Sequence, residues 1–158
     1  MNNPILASLL MVYASQNGMG EPAFQESGSV ILEIESGAPV HIETDMDATT
    51  LFISSPIGRT PGGPERLAYL ESLFRAQAFG IATADCYFFV HPEQMQTFLF
   101  KRINVATATP ESVADAIDQF LQNLAIWRKA SEEGRIIENE IPITPPSTIH
   151  NTMPGLFA

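Results

Sequence analysis

One cysteine, Cys86, stands in the whole sequence, and only two lysines, Lys101 and Lys129. A single thiol excludes an intrachain disulfide framework and a cysteine-based zinc site, and it fits a reducing compartment. Eight Lys and Arg against 18 Asp and Glu give a formal net charge of -10. Binding to the phosphates of duplex DNA or RNA needs clustered bases, so nucleic acid is excluded as a partner. Repulsion from anionic lipid argues in the same way against a polybasic membrane role. The most apolar stretch, Ile5 to Ala14 (ILASLLMVYA), is far shorter than the roughly 20 residues that span a bilayer.

Signatures of catalysis are equally scarce. No G-x-x-x-x-G-K-[ST] loop occurs, no G-x-G-x-x-G opens a helix after a strand, and Ser54-Ser55 stands in no G-x-S-x-G elbow. His41, His91 and His150 fall on separate segments without ligand spacing. Asp45 and Asp47 form a D-x-D, but the loop lacks the glycine and distal glutamate of a calcium-binding loop, and it reads as a hairpin turn. Cys86 would be a nucleophile only with a base beside it, and His91 does not establish one, so Cys86 reads as a small buried strand residue. Together these absences favour a binding protein over an enzyme, with no cofactor and no metal.

The remaining composition is that of a folded domain. The chain has 158 residues, 45% of them hydrophobic and 16% charged. That suffices for one core without staples. The uncharged start resembles the core of a signal peptide, yet no Lys or Arg precedes it and no Ala-x-Ala site follows. A first helix from about Pro4 to Gln16, stopped at Asn17-Gly18, is the expectation. Ile5, Leu9, Val12 and Tyr13 share one face, while Leu6, Leu10 and Met11 widen the apolar sector. A helix this apolar is either sunk in the core or has a second partner.

A polar loop, Glu21 to Ser29, leads to three strands by period-two alternation: Val30 to Glu35, Pro39 to Thr44 and Thr50 to Ser54. The stretch Ser55 to Gly63 (SPIGRTPGG) reads as loop. Pro64-Glu65 opens a second helix with Pro at its first position, running to about Ala78 and stopped by Gly80. Cys86 to His91 and Met95 to Asn104 form a second hairpin. Thr109-Pro110-Glu111 starts a third helix whose apolar face is Val113, Ile117, Phe120, Leu121, Leu124 and Trp127. The predicted class is therefore α+β, with an antiparallel sheet of about five strands and three helices in the order α-β-β-β-α-β-β-α. The domain spans residues 1–134. Residues 135–158, with Pro142, Pro145, Pro146 and Pro154 among isoleucines, form either a flexible terminus or an extended arm on a sheet edge or groove of its own or a neighbouring subunit.

At this point the stretch from Val30 to Ala130 resembles the class I chaperones of bacterial type III secretion, the Tir-chaperone-like family. The resemblance is carried by VILEIESGAPVHIETDMDATTLFISSPIG, ERLAYLESLFRAQAFG, YFFVHPEQMQTFLFKRI and ESVADAIDQFLQNLAIW. The family's Leu-Leu-x-Ala-Asn-like end to the second helix reads here Ser-Leu-Phe-Arg-Ala-Gln. The resemblance implies a homodimeric bacterial cytoplasmic chaperone, without nucleotide or cofactor. It would hold the N-terminal segment of an effector as an extended chain and could dock on the secretion ATPase.

Extended clients can add a strand to a sheet edge while alternate side chains enter apolar pockets. The expected client surface is Ile5, Leu9, Val12 and Tyr13, with Phe52 behind them. The expected dimer contact is Leu67, Tyr69, Leu70, Leu73 and Phe74, because the second helix is more apolar than one sheet face requires. Two other readings stay open. One is an adaptor or sensor of the same fold outside secretion; the other is a small-molecule-binding α+β protein.

Overall fold

The computed structural model describes the backbone of residues 4–19, 21–24, 29–34, 37–45, 47, 49–80, 82–105 and 107–138, and the side chains of these except 4–6, 9, 24 and 79. Three helices, α1 (Pro4–Gln16), α2 (Glu65–Gln77) and α3 (Pro110–Glu132), accompany six strands. The strands are β1 (Ala23–Phe24), β2 (Val30–Glu33), β3 (Pro39–Thr44), β4 (Thr50–Arg59), β5 (Tyr87–His91) and β6 (Gln96–Asn104). They form one antiparallel sheet in the order β1-β2-β3-β4-β6-β5. The expected α+β order is present. The two-residue β1, pairing with Val30 and Ile31, adds an edge within the segment read as a loop.

Alternation decides which face of the sheet is covered. Val30, Leu32, Val40, Ile42, Leu51, Ile53, Ile57 and Leu99 all turn to one side and are buried. Leu10, Tyr13 and Ala14 of α1 and Val113, Ile117, Phe120, Leu124 and Trp127 of α3 join them in a single core. Phe88 of β5 closes that core with its ring edge-on to Trp127 at 4.7 Å.

The helix ends follow from local chemistry. At α3, Thr109 Oγ1 accepts from the Ser112 N–H at 3.2 Å, and Ser112 Oγ accepts from the Thr109 N–H at 3.0 Å, a reciprocal capping box. At α1, the chain leaves through Gly18 in the left-handed conformation, φ 64°, with Met19 N–H returning to Ala14 C=O. Pro64 stands at the N-cap of α2, one position before the expected one.

Strand β4 departs most from expectation. It runs on to Arg59, through residues that read as punctuation, with a shift of register between Pro56 and Gly58. Proline is tolerated in a sheet at bulges and on open flanks. Here β3 pairs with β4 only as far as Ser54, and Pro56 stands at the register shift of the β4–β6 pairing. Gly58 lets α3 come close: a Cβ there would collide with the Ser131 hydroxyl.

The loop between α2 and β5 is tied down by buried polar groups. Thr83 Oγ1 donates to Cys86 C=O at 2.6 Å, Lys101 Nζ donates to Ala84 C=O at 3.3 Å, and Asn123 Nδ2 donates to Thr83 C=O. Beyond α3, Gly134 (φ 73°) reverses the chain and Ile136 packs back into the core.

Candidate binding surfaces

Helix α1 is divided by what it touches. Leu10, Tyr13 and Ala14 are buried, whereas Met11 and Val12 are exposed, Val12 by 53%. The Tyr13 hydroxyl donates to the Asp118 carboxylate of α3. Burial, and then that carboxylate, push the phenol above its ordinary range, so it stays a neutral donor. Of the expected client residues, Tyr13 therefore clamps α1 to α3 and Val12 faces outward. Ile5 and Leu9 belong to α1, and their side chains lie outside the described residues. Phe52 is not among them. Between the buried Leu51 and Ile53 it must turn to the other face of the sheet.

Helix α2 is divided in the same way. Tyr69 and Leu73 are buried in the chain's own core and Leu70 is half-buried against it. Leu67 and Phe74 are 67% and 64% exposed. Positions 67, 70 and 74 make one stripe at i, i+3 and i+7. Of the five residues expected at a dimer contact, these three are the ones a partner can reach.

The sheet face away from the helices carries aromatics where polar residues would be usual. Phe52 stacks on Phe100 at 5.9 Å, and Phe89 stacks on Phe98 at 4.9 Å and meets Phe100 edge-on at 6.4 Å. Phe52, Phe89 and Phe100, with Ser54 and Glu43, line an open groove of about 490 Å³. Reading strand by strand does not assemble this group, since Phe52 lies on β4, Phe89 on β5 and Phe100 on β6. The signal was the aromatic set on the outward positions of both hairpin strands.

The two sheet edges are unlike. On β5, the outward N–H of Phe88 donates to Gln77 Oε1 of α2 at 2.9 Å, so a helix side chain occupies that edge. At the other edge the described pairing of β1 covers only Val30 and Ile31 of β2. Among the described residues no His, Cys, Asp and Glu gather as a metal site. Burial pushes the Cys86 thiol up, the direction that quenches nucleophilicity. No described helix is long and apolar enough to cross a membrane.

The chain thus presents a helix-backed antiparallel sheet with spare apolar surface on two helices and on one sheet face. Residues 8–128 match the Tir chaperone protein (CesT) family, and the chain belongs to that family. No curated protein matches it. Among solved structures it is similar to a chain of the ExsC-ExsE complex, with 16% identity, TM-score 0.63, and 82% of this chain and 96% of that one covered. It is also similar to a chain of the HopA1-SchA chaperone-effector complex (13%, 0.58, 78% and 92%). A third is YbjN from E. coli, a candidate transcription regulator (16%, 0.56, 80% and 92%). At these identities the structural likeness shows the fold.

Proposed function

We propose that the protein is a homodimeric secretion chaperone of the bacterial cytoplasm, which binds the N-terminal segment of a type III effector in extended form and keeps it competent for export. The observation that carries this reading is the family match over residues 8–128. The molecule's surfaces suit the task. A client strand would add beside Leu32 and Glu33 of β2, which β1 does not pair among the described residues, and its apolar side chains would bury Met11 and Val12. Each large side chain fully buried contributes about 1.5–3 kcal/mol. A few such anchors offset the roughly 2–5 kcal/mol of ordering a disordered client. Two subunits on one client would then strengthen retention through effective concentration. Docking of the loaded dimer on the secretion ATPase completes the reading, which needs no catalytic group or cofactor in this chain.

The test is expression of the tagged chain in its host, identification of the co-eluting protein, and hydrogen exchange on the complex. Protection of an N-terminal client segment, lost in Val12→Glu while the fold is kept, is the expected result. A chain that elutes alone, or a Val12→Glu variant that retains its client, would count against it. The likeness to YbjN favours a second reading, an adaptor of the same fold outside secretion. In that case the co-eluting protein would be a folded regulator, bound without protection of an extended segment.

A further inference from the structure

The groove on the outer face of the sheet is used neither by the client surface on α1 nor by the α2 stripe. We propose that it is a seat for an arginine side chain of an extended partner segment, with the guanidinium on Phe52, Phe89 and Phe100 and Glu43 as its counter-ion. The inference rests on the proposed function only for the name of that partner, the client.

The rings set the chemistry. Phe52 and Phe100 lie nearly parallel, with 17° between their planes, and Phe89 stands across Phe100 at 81°. Rings in two orientations thus wall the groove, and the Ser54 hydroxyl and the Glu43 carboxylate are the polar side chains of its lining. The face of an aromatic ring carries negative quadrupolar charge and attracts a cation. A carboxylate beside the rings acts with the same sign.

Charge then decides among occupants. An apolar side chain would cover the rings but strip water from Glu43 and leave its carboxylate without a partner, which is unfavourable. An acidic side chain is repelled by Glu43 and by a formal net charge of -10. A cation is attracted by the rings, by the carboxylate and by the whole molecule. Glu43 is available to it: among the described residues ion pairs join Glu133 to Lys129 and Arg135, and none reaches Glu43. Glu43, Phe52 and Arg102 follow one another across three strands, yet Arg102 is exposed and does not pair with Glu43.

Among cations the guanidinium fits best. It is planar and weakly hydrated, it stacks on rings, and its fork of N–H donors matches a carboxylate. The Ser54 hydroxyl can accept a further N–H. An ammonium is compact and strongly hydrated, so it loses more water for less contact. The shape of the groove accounts for the extended partner. From Glu43 on β3 to Phe89 on β5 is three strand spacings, about 14 Å, the length of about four extended residues.

The experiment uses the full ¹⁵N-labelled chain and the blocked peptide acetyl-Gly-Ser-Arg-Ser-Gly-amide, with its citrulline counterpart as the uncharged isostere. The arginine peptide should shift the amide signals of Phe52, Ser54, Phe89 and Phe100 in a saturable way and leave those of Val30 and Leu32 in place. Its dissociation constant should rise about three- to tenfold in Glu43→Gln and in Phe52→Leu, and the citrulline peptide should bind the parent more weakly by a similar factor. Neither position belongs to the core, and Phe52→Leu keeps an apolar side chain while removing the ring. Unchanged Val30 and Leu32 signals show that each variant keeps the fold. Equal affinity for the two peptides, or an affinity unaltered in either variant, would overturn the proposal. So would shifts spread over the acidic face of α3, or no saturable response in the groove. A chain that retains a secreted client but gives no arginine response would sink this inference and spare the chaperone reading. A chain that elutes alone from its host yet seats the arginine peptide here would do the reverse.

Discussion

Asp45 shows how one carboxylate can organise a turn. It accepts from the Thr49 N–H at 2.7 Å, the Thr49 hydroxyl at 2.8 Å and the Thr50 N–H at 3.0 Å, closing the turn between β3 and β4. The Thr50 backbone bond foremost holds its pKa at about 2, below the usual 3.8. The folded state thus binds fewer protons than the unfolded chain, and the contribution is present above about pH 4 and lost as pH falls through about 2. Asp45→Asn should melt below the parent at pH 6, and the gap should close as the pH approaches 2. Fluorescence of Trp127, the sole tryptophan, reports both transitions. At this scale the sequence shows less than the structure. The D-x-D was legible as a turn, but Asn123 and Lys101 sit buried under the loop before β5 because two remote segments converge there, and no local pattern announces such a meeting.

At the scale of elements, β4 and α3 explain each other. Gly58 looked like a loop glycine among prolines, yet it marks where a helix presses on a strand. Gly58→Ala should destabilise the fold by about 1–3 kcal/mol, the usual cost of overpacking. Placing it in a Ser131→Ala background should recover part of that loss, because the hydroxyl is the nearer obstacle. Denaturant unfolding of both variants checks this, and equal losses in the two backgrounds would mean that the φ of 158° at Gly58, not the collision, sets the cost. Elements with strong periodicity were readable: α3 begins and caps as its Thr-Pro-Glu sequence demands. The extension of β4 was not readable, since what carries it on to Arg59 is its pairing with the remote β6.

For the whole molecule a surplus of apolar surface was legible in the sequence but its distribution was not. Alternation placed Phe98 and Phe100 on one face from the start; only the pairing of β4 with β6 and β6 with β5 brought Phe52 and Phe89 to them. On α2, the apolar stripe was visible while its division between core and surface was not, and Leu67, Leu70 and Phe74 are what it leaves for a twofold contact. Leu70→Asp should give a monomer or an aggregate in light scattering, since it would bury an unpaired carboxylate in that contact. A dimer of unchanged mass would move the contact elsewhere.

The unlike rims of the sheet carry a further consequence. Gln77 takes up the outward N–H of Phe88 on β5, while among the described residues β1 pairs only with Val30 and Ile31 of β2, so a strand added at Leu32 and Glu33 would meet less competition. Such a bias toward one rim would confine added strands to one side of each copy.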